Sequence, residues 1–575
     1  MKKAVFCFLI IFVPLTLNAR QVTVSSTTQI SGGSWSAGDT IVMKNGTWIN
    51  QAITLKANGT ATNPVVLKAQ TPGSVILSGS SHIGLSGSYI EVSGLFFKNG
   101  TLNTGSEIVG FRTSSSEFAN NCRLTNCAIV DCNPTDSTID SKWVSLYGAN
   151  NRVDHCTFQN KSNMGTLLVV WLTAGIVPNH IVDNNYFGYR NSNVDVTGAE
   201  LNGQEIMRLG DSSTSMQTAG IQVTNNFFEH CNGEIETISN KSCGNYYSNN
   251  VFYECNGMLT LRHGNGCTVD GNYFFGNKNS SSGGVRIIGE NHKVYNNYFE
   301  KLGGSGFRSA VCIVRGKLNS LANEYFQVKN ALVAFNTMVD CSNAFTINYN
   351  SSSTYTMPPI GTVIAHNNVY NTSTSNTAIT ISQTDPAMDI TWNNNLINQG
   401  KYTNLTATGT QVIVGKDPKL VLAGTNTNMY EPGSTSALLS YTTVDYPEIA
   451  VDIRGRDRGT TAKVPGCSQT SGSTTRVMPN RSTTGATFFN GVLTDIKAVS
   501  LDNGFKSFIS NRKLITNTSV AGKLRVIDIS GKTVLEEYLQ EGISSNNLHS
   551  KAGVYILNFV AENAKNNHSE KIIID

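Results

Sequence analysis

The chain has 575 residues, of which only 14% are charged, and a formal net charge of +4. That length allows a large core and more than one domain. So small a net charge gives no argument for nucleic acid as a partner, while a basic cleft for an anionic substrate fits within a near-neutral chain. The 52 glycines, with abundant Asn, Ser and Thr, suit an all-β protein rich in turns.

The chain opens with MKKAVFCFLIIFVPLTLNA, two lysines before a short apolar run that ends in a small residue. This predicts a signal peptide over 1–19, cut after Ala19. No other segment is apolar enough to span a membrane. The mature chain is therefore expected to be exported through the periplasm, to be secreted or held at the cell surface, and to be a monomer. Eleven cysteines remain beyond Cys7. An exported protein can hold disulfides, but stacked, buried free thiols at equivalent places in a repeat are the favoured reading.

A solenoid is predicted over 20–469, starting near ISGGSWSAGDTIVMKNGTW (30–48). Its signature is an Asn followed by a β-forming pair: NNYF (184–187), NNFF (225–228), NNVF (249–252), GNYF (271–274), NNYF (296–299), FNTM (335–338), NNVY (367–370) and NNNL (393–396). The second Asn recurs at 226, 250, 272 and 297, steps of 24, 22 and 25. Periods of this size with short β-runs argue for a parallel β-helix. Repeated Asn would form a ladder inside a bend, and repeated aromatic and aliphatic residues would fill the interior. Longer steps are rungs with inserted loops, which commonly build a binding groove. No LxxLxL pattern supports a leucine-rich repeat.

Chemistry concentrates at 202–263. In GEIETISNKS, Glu234 and Glu236 are two apart and would face one side of a strand. Side by side they repel unless a cation sits between them, and calcium is the usual hard cation outside cells. Asn202 could add an amide oxygen. Lys241 follows the strand, and Arg262 comes 21 residues later, almost one rung on, with His263 beside it. A cation, a lysine and an arginine on one face suit a uronate carboxylate. The C5 proton of a uronic acid becomes removable when its carboxylate charge is offset. A lysine serves as base where neighbouring positive charge lowers its pKa. Each residue also has a structural reading. E-x-E is common on solvated strands, and Arg262 could pair with Glu234 across rungs. Arg208, Arg286 and Arg315 could bind acidic sugar or pair with acids. Trp143 and Trp171 could stack on sugar or pack in the core.

The polar stretch SQTSGSTTRVMPNRSTTGAT follows the predicted solenoid, and a linker is expected over 470–499. Beyond it, KLRVIDISGKTVLEE (523–537) and AGVYILNFV (552–560) alternate around a Ser-Gly turn. They predict a small β-sandwich over 500–575.

The stretches NRVDHCTFQNKSNMGTLLVV (151–170), NGQEIMRLG (202–210), NGEIETISNKS (232–242) and LRHG (261–264) resemble polysaccharide lyase family six, the group of chondroitinase B and related alginate lyases. The resemblance covers about 25–467. It implies a right-handed parallel β-helix and calcium-assisted β-elimination on an anionic polysaccharide. Position by position, it implies that Asn202, Glu234 and Glu236 hold Ca2+, that Lys241 is the base and Arg262 the acid, and that His263 lies in the substrate cleft. Arg208, Arg286 and Arg315 are expected at the substrate. Alginate is the favoured polymer, with dermatan sulfate as the alternative. The last segment, through VIDISGKTV (526–534) and EKIIID (570–575), resembles the sorting domain of type IX secretion, which implies that machinery as a partner; the usual Pro-Asn-Pro and basic ending are missing. Two rival classes remain. A non-catalytic carbohydrate-binding β-helix would not need clustered Lys, Arg and paired Glu. A polygalacturonase-type hydrolase would need paired acids working as acid and base.

Overall fold

The computed structural model describes residues 19–489, apart from 195–197, 199, 350–351, 407–410, 424–428 and 460–461. It also describes 505–574, apart from 511–512, 519, 541, 548–552 and 563–567. The predicted signal peptide, save Ala19, and the 490–499 part of the predicted linker lie outside the described residues. The chain divides into two compact units, 1–489 and 490–575.

The first unit is a parallel β-helix. Its described strands form three parallel sheets of 14 strands each, with successive rungs hydrogen-bonded in order. The short helix Thr27–Ser31 packs Ile30 into the core at the N-terminal end, the capping that a solenoid's open end requires. The Asn-Asn pairs explain each bend. The first Asn of the pair takes a left-handed conformation, as at Asn184, Asn225, Asn249 and Asn296 (φ 52–58°), which Asn tolerates better than other side chains. The second turns inward. Asn185, Asn226, Asn250, Asn272, Asn297, Asn336, Asn367 and Asn395 form one continuous ladder, each Nδ2 donating to the next Oδ1 at 2.9–3.0 Å. Beside it, Phe158, Phe187, Phe228, Phe252, Phe274 and Phe299 stack at 4.5–5.0 Å. Sequence spacing varies, but from Asn185 to Asn297 each rung advances one Asn and one Phe; on the next two rungs Met338 and Val369 take the Phe place.

The described cysteines are all free thiols, and all but Cys243 are buried. Cys231 and Cys255 sit on neighbouring rungs, where burial and each other's proximity push the Cys231 thiol up.

The last rung strand is Val412–Val414, earlier than the predicted end of the solenoid. The chain then turns back. Residues 470–489, expected as a linker, lie along the rungs instead. Arg476 pairs with Asp270 at 3.0 Å, Arg481 pairs with Glu229, the Thr487 N–H donates to Asn126 Oδ1 at 2.7 Å, and Phe489 meets Phe96 edge-on. The Ser/Thr-rich composition concealed these four anchors.

The second unit holds two antiparallel sheets. One contains Phe505–Ser510, Lys513–Thr518 and Gly542–Asn547; the other contains Thr533–Leu539, Gly522–Asp528, Gly553–Ala561 and His568–Ile574. Phe505 and Leu514 from the first pack with Leu524, Val526 and Phe559 from the second, as a small sandwich. No helix among the described residues is long and apolar enough to cross a membrane.

Candidate active site

Seven consecutive strands of one sheet position the site: β1 (Lys142–Leu146), β2 (Leu168–Val170), β3 (Met207–Gly210), β4 (Glu236–Lys241), β5 (Met258–His263), β6 (Val285–Ile287) and β7 (Val311–Val314). Alternate residues face inward as Leu209, Leu261 and Ile287. Between them, Arg208, Ser239, Thr260 and Arg286 stand in register, one per rung.

The sequence placed Glu234 and Glu236 together on a strand. Only Glu236 begins β4; Glu234 lies in the bend before it. Both are nonetheless buried, at 5% and 6% exposure, with Ile235 less buried between them. Glu234 Oε2 accepts the N–H groups of Gly203 (2.7 Å) and Gln204 (3.1 Å). Gly203 has φ +90°, a turn suited to glycine that brings the exposed Asn202 next to this carboxylate's donors. Burial, then the nearby charge of Glu205, pushes the Glu234 carboxyl up to about 8, against the two backbone donors. Glu236 is held differently. Arg286 pairs with its Oε1, Ser239 Oγ donates to its Oε2, and Arg262 Nε lies 3.8 Å from Oε1.

Lys241 and the Arg262–His263 pair end adjacent strands. A register shift after Asn240 sets His263, not Arg262, opposite Lys241. No carboxylate among the described residues pairs with Lys241; the site's ion pairs go to Arg262 and Arg286. Arg262 lies over the Tyr325 ring at 4.2 Å, and Tyr325 stacks on Tyr355 at 4.7 Å. His263 is 2% exposed, and burial with the charges of Arg262 and Lys241 holds its pKa near 3, so it is neutral.

Two of the three arginines expected at the substrate are engaged within the chain. Arg286 is buried as the counter-ion of Glu236. Arg315 is committed to Asp385 (2.8 Å) and to the carbonyls of Tyr355 and Thr356 at a loop base. Arg208 alone has no carboxylate partner among the described residues. Trp143 is wholly in the core, donating to the Cys132 carbonyl at 3.0 Å, whereas Trp171 is partly exposed beside Arg208. The sequence reading missed Glu205, Ser239 and Tyr325. Glu205 stood in NGQEIM beside Asn202 and could have been weighed there; Tyr325 comes from an inserted loop and carried no signal.

Among the described residues, no set of three or more His, Cys, Asp and Glu is placed to hold a metal. The expected set has two carboxylates and an amide. Its chemistry fits a hard cation in donor type, since the donors are oxygen only.

The site thus joins a lysine, an arginine and two buried carboxylates on a parallel β-helix. Residues 24–445 match the chondroitinase B family. The chain belongs to that family, within polysaccharide lyase family 6. Among solved structures, the family 6 alginate lyase AlyGC is 34% identical with a TM-score of 0.65, over 72% of this chain and 55% of that one. This chain thus spans about half the length of AlyGC. A mannuronic acid-specific family 6 lyase from human gut microbiota is 26% identical (TM-score 0.59, 68% of this chain and 90% of that one). A family 6 lyase from Pseudopedobacter saltans is also 26% identical (TM-score 0.56, 68% and 94%). No significant match was found among curated proteins.

Proposed function

We propose that this chain is a lyase that cleaves alginate by β-elimination at the β4–β5 site. The observation that carries the reading is the meeting of Lys241 with Arg262 and His263 on adjacent strands, with Arg262 Nε 3.8 Å from the buried Glu236 carboxylate. Lys241 takes the C5 proton of a uronate. The C5–H electron pair becomes the C4–C5 double bond, and the C4–O bond breaks. Arg262, held on Tyr325, is the acid that gives the leaving C4 oxygen its proton. His263 is neutral and adds no charge to this step. Asn202, Glu234 and Glu236 are the residues that would hold Ca2+. When bound, calcium would offset charge developing on the substrate carboxylate.

The alginate reading is supported by the alginate lyase AlyGC and by the mannuronic acid-specific relative. The family's chondroitinase B name supports dermatan sulfate as a second reading. Export by the N-terminal segment, and sorting by type IX machinery through the second unit, complete the proposal from sequence alone.

The test is ultraviolet absorbance over time on alginate and on dermatan sulfate, each with and without chelator. A rise on alginate that chelator suppresses is the expected result. A rise on dermatan sulfate alone would transfer the proposal to that polymer. A rise indifferent to chelator would remove the calcium role, and no rise on either from folded protein would overturn the lyase reading.

A further inference from the structure

Beneath the Glu234 bend lies a buried cation that the reaction does not use. Arg190 belongs to the strand Tyr186–Asn191 and stands in register with Cys231 on the next rung. Gly233 follows two residues after Cys231. Arg190 is only 1% exposed. Burial lowers its guanidinium to about 10, so it stays charged at neutral pH, and the charges of Glu205 and then Glu234 oppose that fall. A cation held so deep is costly unless its donors are used.

Those donors tie three segments together. Nη2 donates to the carbonyls of Gly165 (2.8 Å) and Asn163 (3.2 Å), and Nη1 donates to the carbonyl of Glu205 (3.3 Å). The Glu205 side chain is fixed as well, because Thr166 Oγ1 donates to its Oε2 at 2.8 Å. Glu205 directly follows Gly203 and Gln204, whose N–H groups hold Glu234 Oε2. Arg190 also abuts Gly233. A Cβ there would lie 2.8 Å from Arg190 Nε and 2.3 Å from the Gln204 carbonyl oxygen. One side chain thus touches both halves of the Glu234 hydrogen bonds: the segment that donates and the bend that carries the acceptor.

A second buried cation supplies the contrast. Lys161 is 0% exposed, and its Nζ donates to the Asn163 carbonyl (3.2 Å), Asn163 Oδ1 (2.6 Å) and the Met164 carbonyl (3.0 Å). All three bonds stay within residues 161–164, so Lys161 fastens its own loop.

We infer that Arg190 is a positioning residue for Glu234, aligning the Gly203–Glu205 segment with the bend at Gly233 so that the carboxylate meets a divalent cation in one orientation. The inference rests on the reading of Glu234 as a calcium ligand, made above. What it adds is the group that sets the geometry of that ligand.

The experiment is calorimetric titration of the purified full chain with calcium chloride, beside thermal unfolding and turnover of alginate. Arg190→Met removes the donors and should bind calcium roughly 10–100-fold more weakly than the parent, the usual cost of losing a group that orients a metal ligand. Its turnover should be low at limiting calcium and recover with excess. Arg190→Lys keeps the charge but not the planar fork of donors, and should recover only part of the affinity. Gly233→Ala pushes a methyl group at Arg190 Nε and should weaken calcium in the same way; it carries the test if Arg190→Met does not fold. Lys161→Met should lower the thermal midpoint and leave calcium affinity unchanged. Parental calcium affinity in the folded Arg190 and Gly233 variants overturns the inference. So does an equal loss in Lys161→Met, which would mean general loosening. The two claims fail separately. An ultraviolet rise and calcium binding by the parent, with variants that bind calcium equally well, keep the proposed function and remove the role of Arg190. Weakened calcium binding in the variants of a parent that gives no ultraviolet rise keeps the role of Arg190 and removes the lyase reading. A parent that binds no calcium removes the calcium role and this inference together.

Discussion

The Asn ladder and the β3–β6 face belong to the same rungs, yet they treat polar groups in opposite ways. Along the ladder every buried amide is used: Asn272 Nδ2 donates to the Tyr247 carbonyl and to Asn297 Oδ1, while its Oδ1 accepts from the N–H and Nδ2 of Asn250. On the β3–β6 face, Arg208 Nε, Thr237 Oγ1, Thr260 Oγ1, Arg262 Nη1, His263 Nδ1 and Arg286 Nε are buried without a partner. Unsatisfied buried polar atoms are costly, and these six lie on the strands that carry Lys241 and Arg262 and on their neighbours. The ladder is built to hold rungs together.

That contrast can be broken at either end. The largest effect is expected from Lys241→Ala, which should lower turnover by about 10²–10⁴-fold, the usual worth of a general base, with no change in thermal midpoint. A variant that keeps most of its activity would show that the base is elsewhere. Next is the ladder itself. Asn272→Ala leaves the Asn250 N–H without its acceptor and takes one donor each from Asn297 Oδ1 and the Tyr247 carbonyl, and should cost about 2–3 kcal/mol in denaturant unfolding while the turnover of folded protein is retained. A stability loss below measurement error would mean that water replaces the amide.

A smaller effect is expected at Tyr325. Its ring carries Arg262, so Tyr325→Ala should reduce kcat by roughly tenfold, the scale of a desolvated cation–π contact. Tyr325→Phe should restore it, because the ring and not the hydroxyl is in contact. Failure of the phenylalanine to rescue would assign the role to the hydroxyl instead.

The smallest effect is acid sensitivity at two positions where histidine does the work of asparagine. The Asn151 N–H donates to His180 Nδ1, and the Cys267 N–H donates to His292 Nδ1, both at 3.1 Å. Burial lowers His180 to about 3 and His292 to about 4, from the usual 6.5. Each is neutral when folded, so unfolding takes up protons below 6.5. Their contribution is intact above about pH 6.5 and is lost progressively as pH falls toward 4 and then 3. His292→Asn should flatten the stability profile across that window. An unchanged profile would mean that other groups govern acid unfolding.

The sequence by itself determined the β-helix. The Asn and Phe that recur in NNFF, NNVF and GNYF are the atoms that stack, and a repeat of that kind needs only its nearest neighbours to fold. It also marked the segment 202–263, because Lys, Arg and paired Glu are conspicuous in a chain with so few charges. Tertiary structure alone decided how those residues divide their work. Glu234 lies in a bend rather than on the strand, a register shift sets His263 opposite Lys241, Arg286 neutralises Glu236, and Tyr325 arrives from a distant loop to hold Arg262. The return of 470–489 along the rungs was equally hidden, because its anchors are four residues scattered in a polar stretch. Local periodicity writes the scaffold into the sequence, whereas loop insertions and one-residue shifts set which charges meet, and those depend on contacts between residues far apart in the chain.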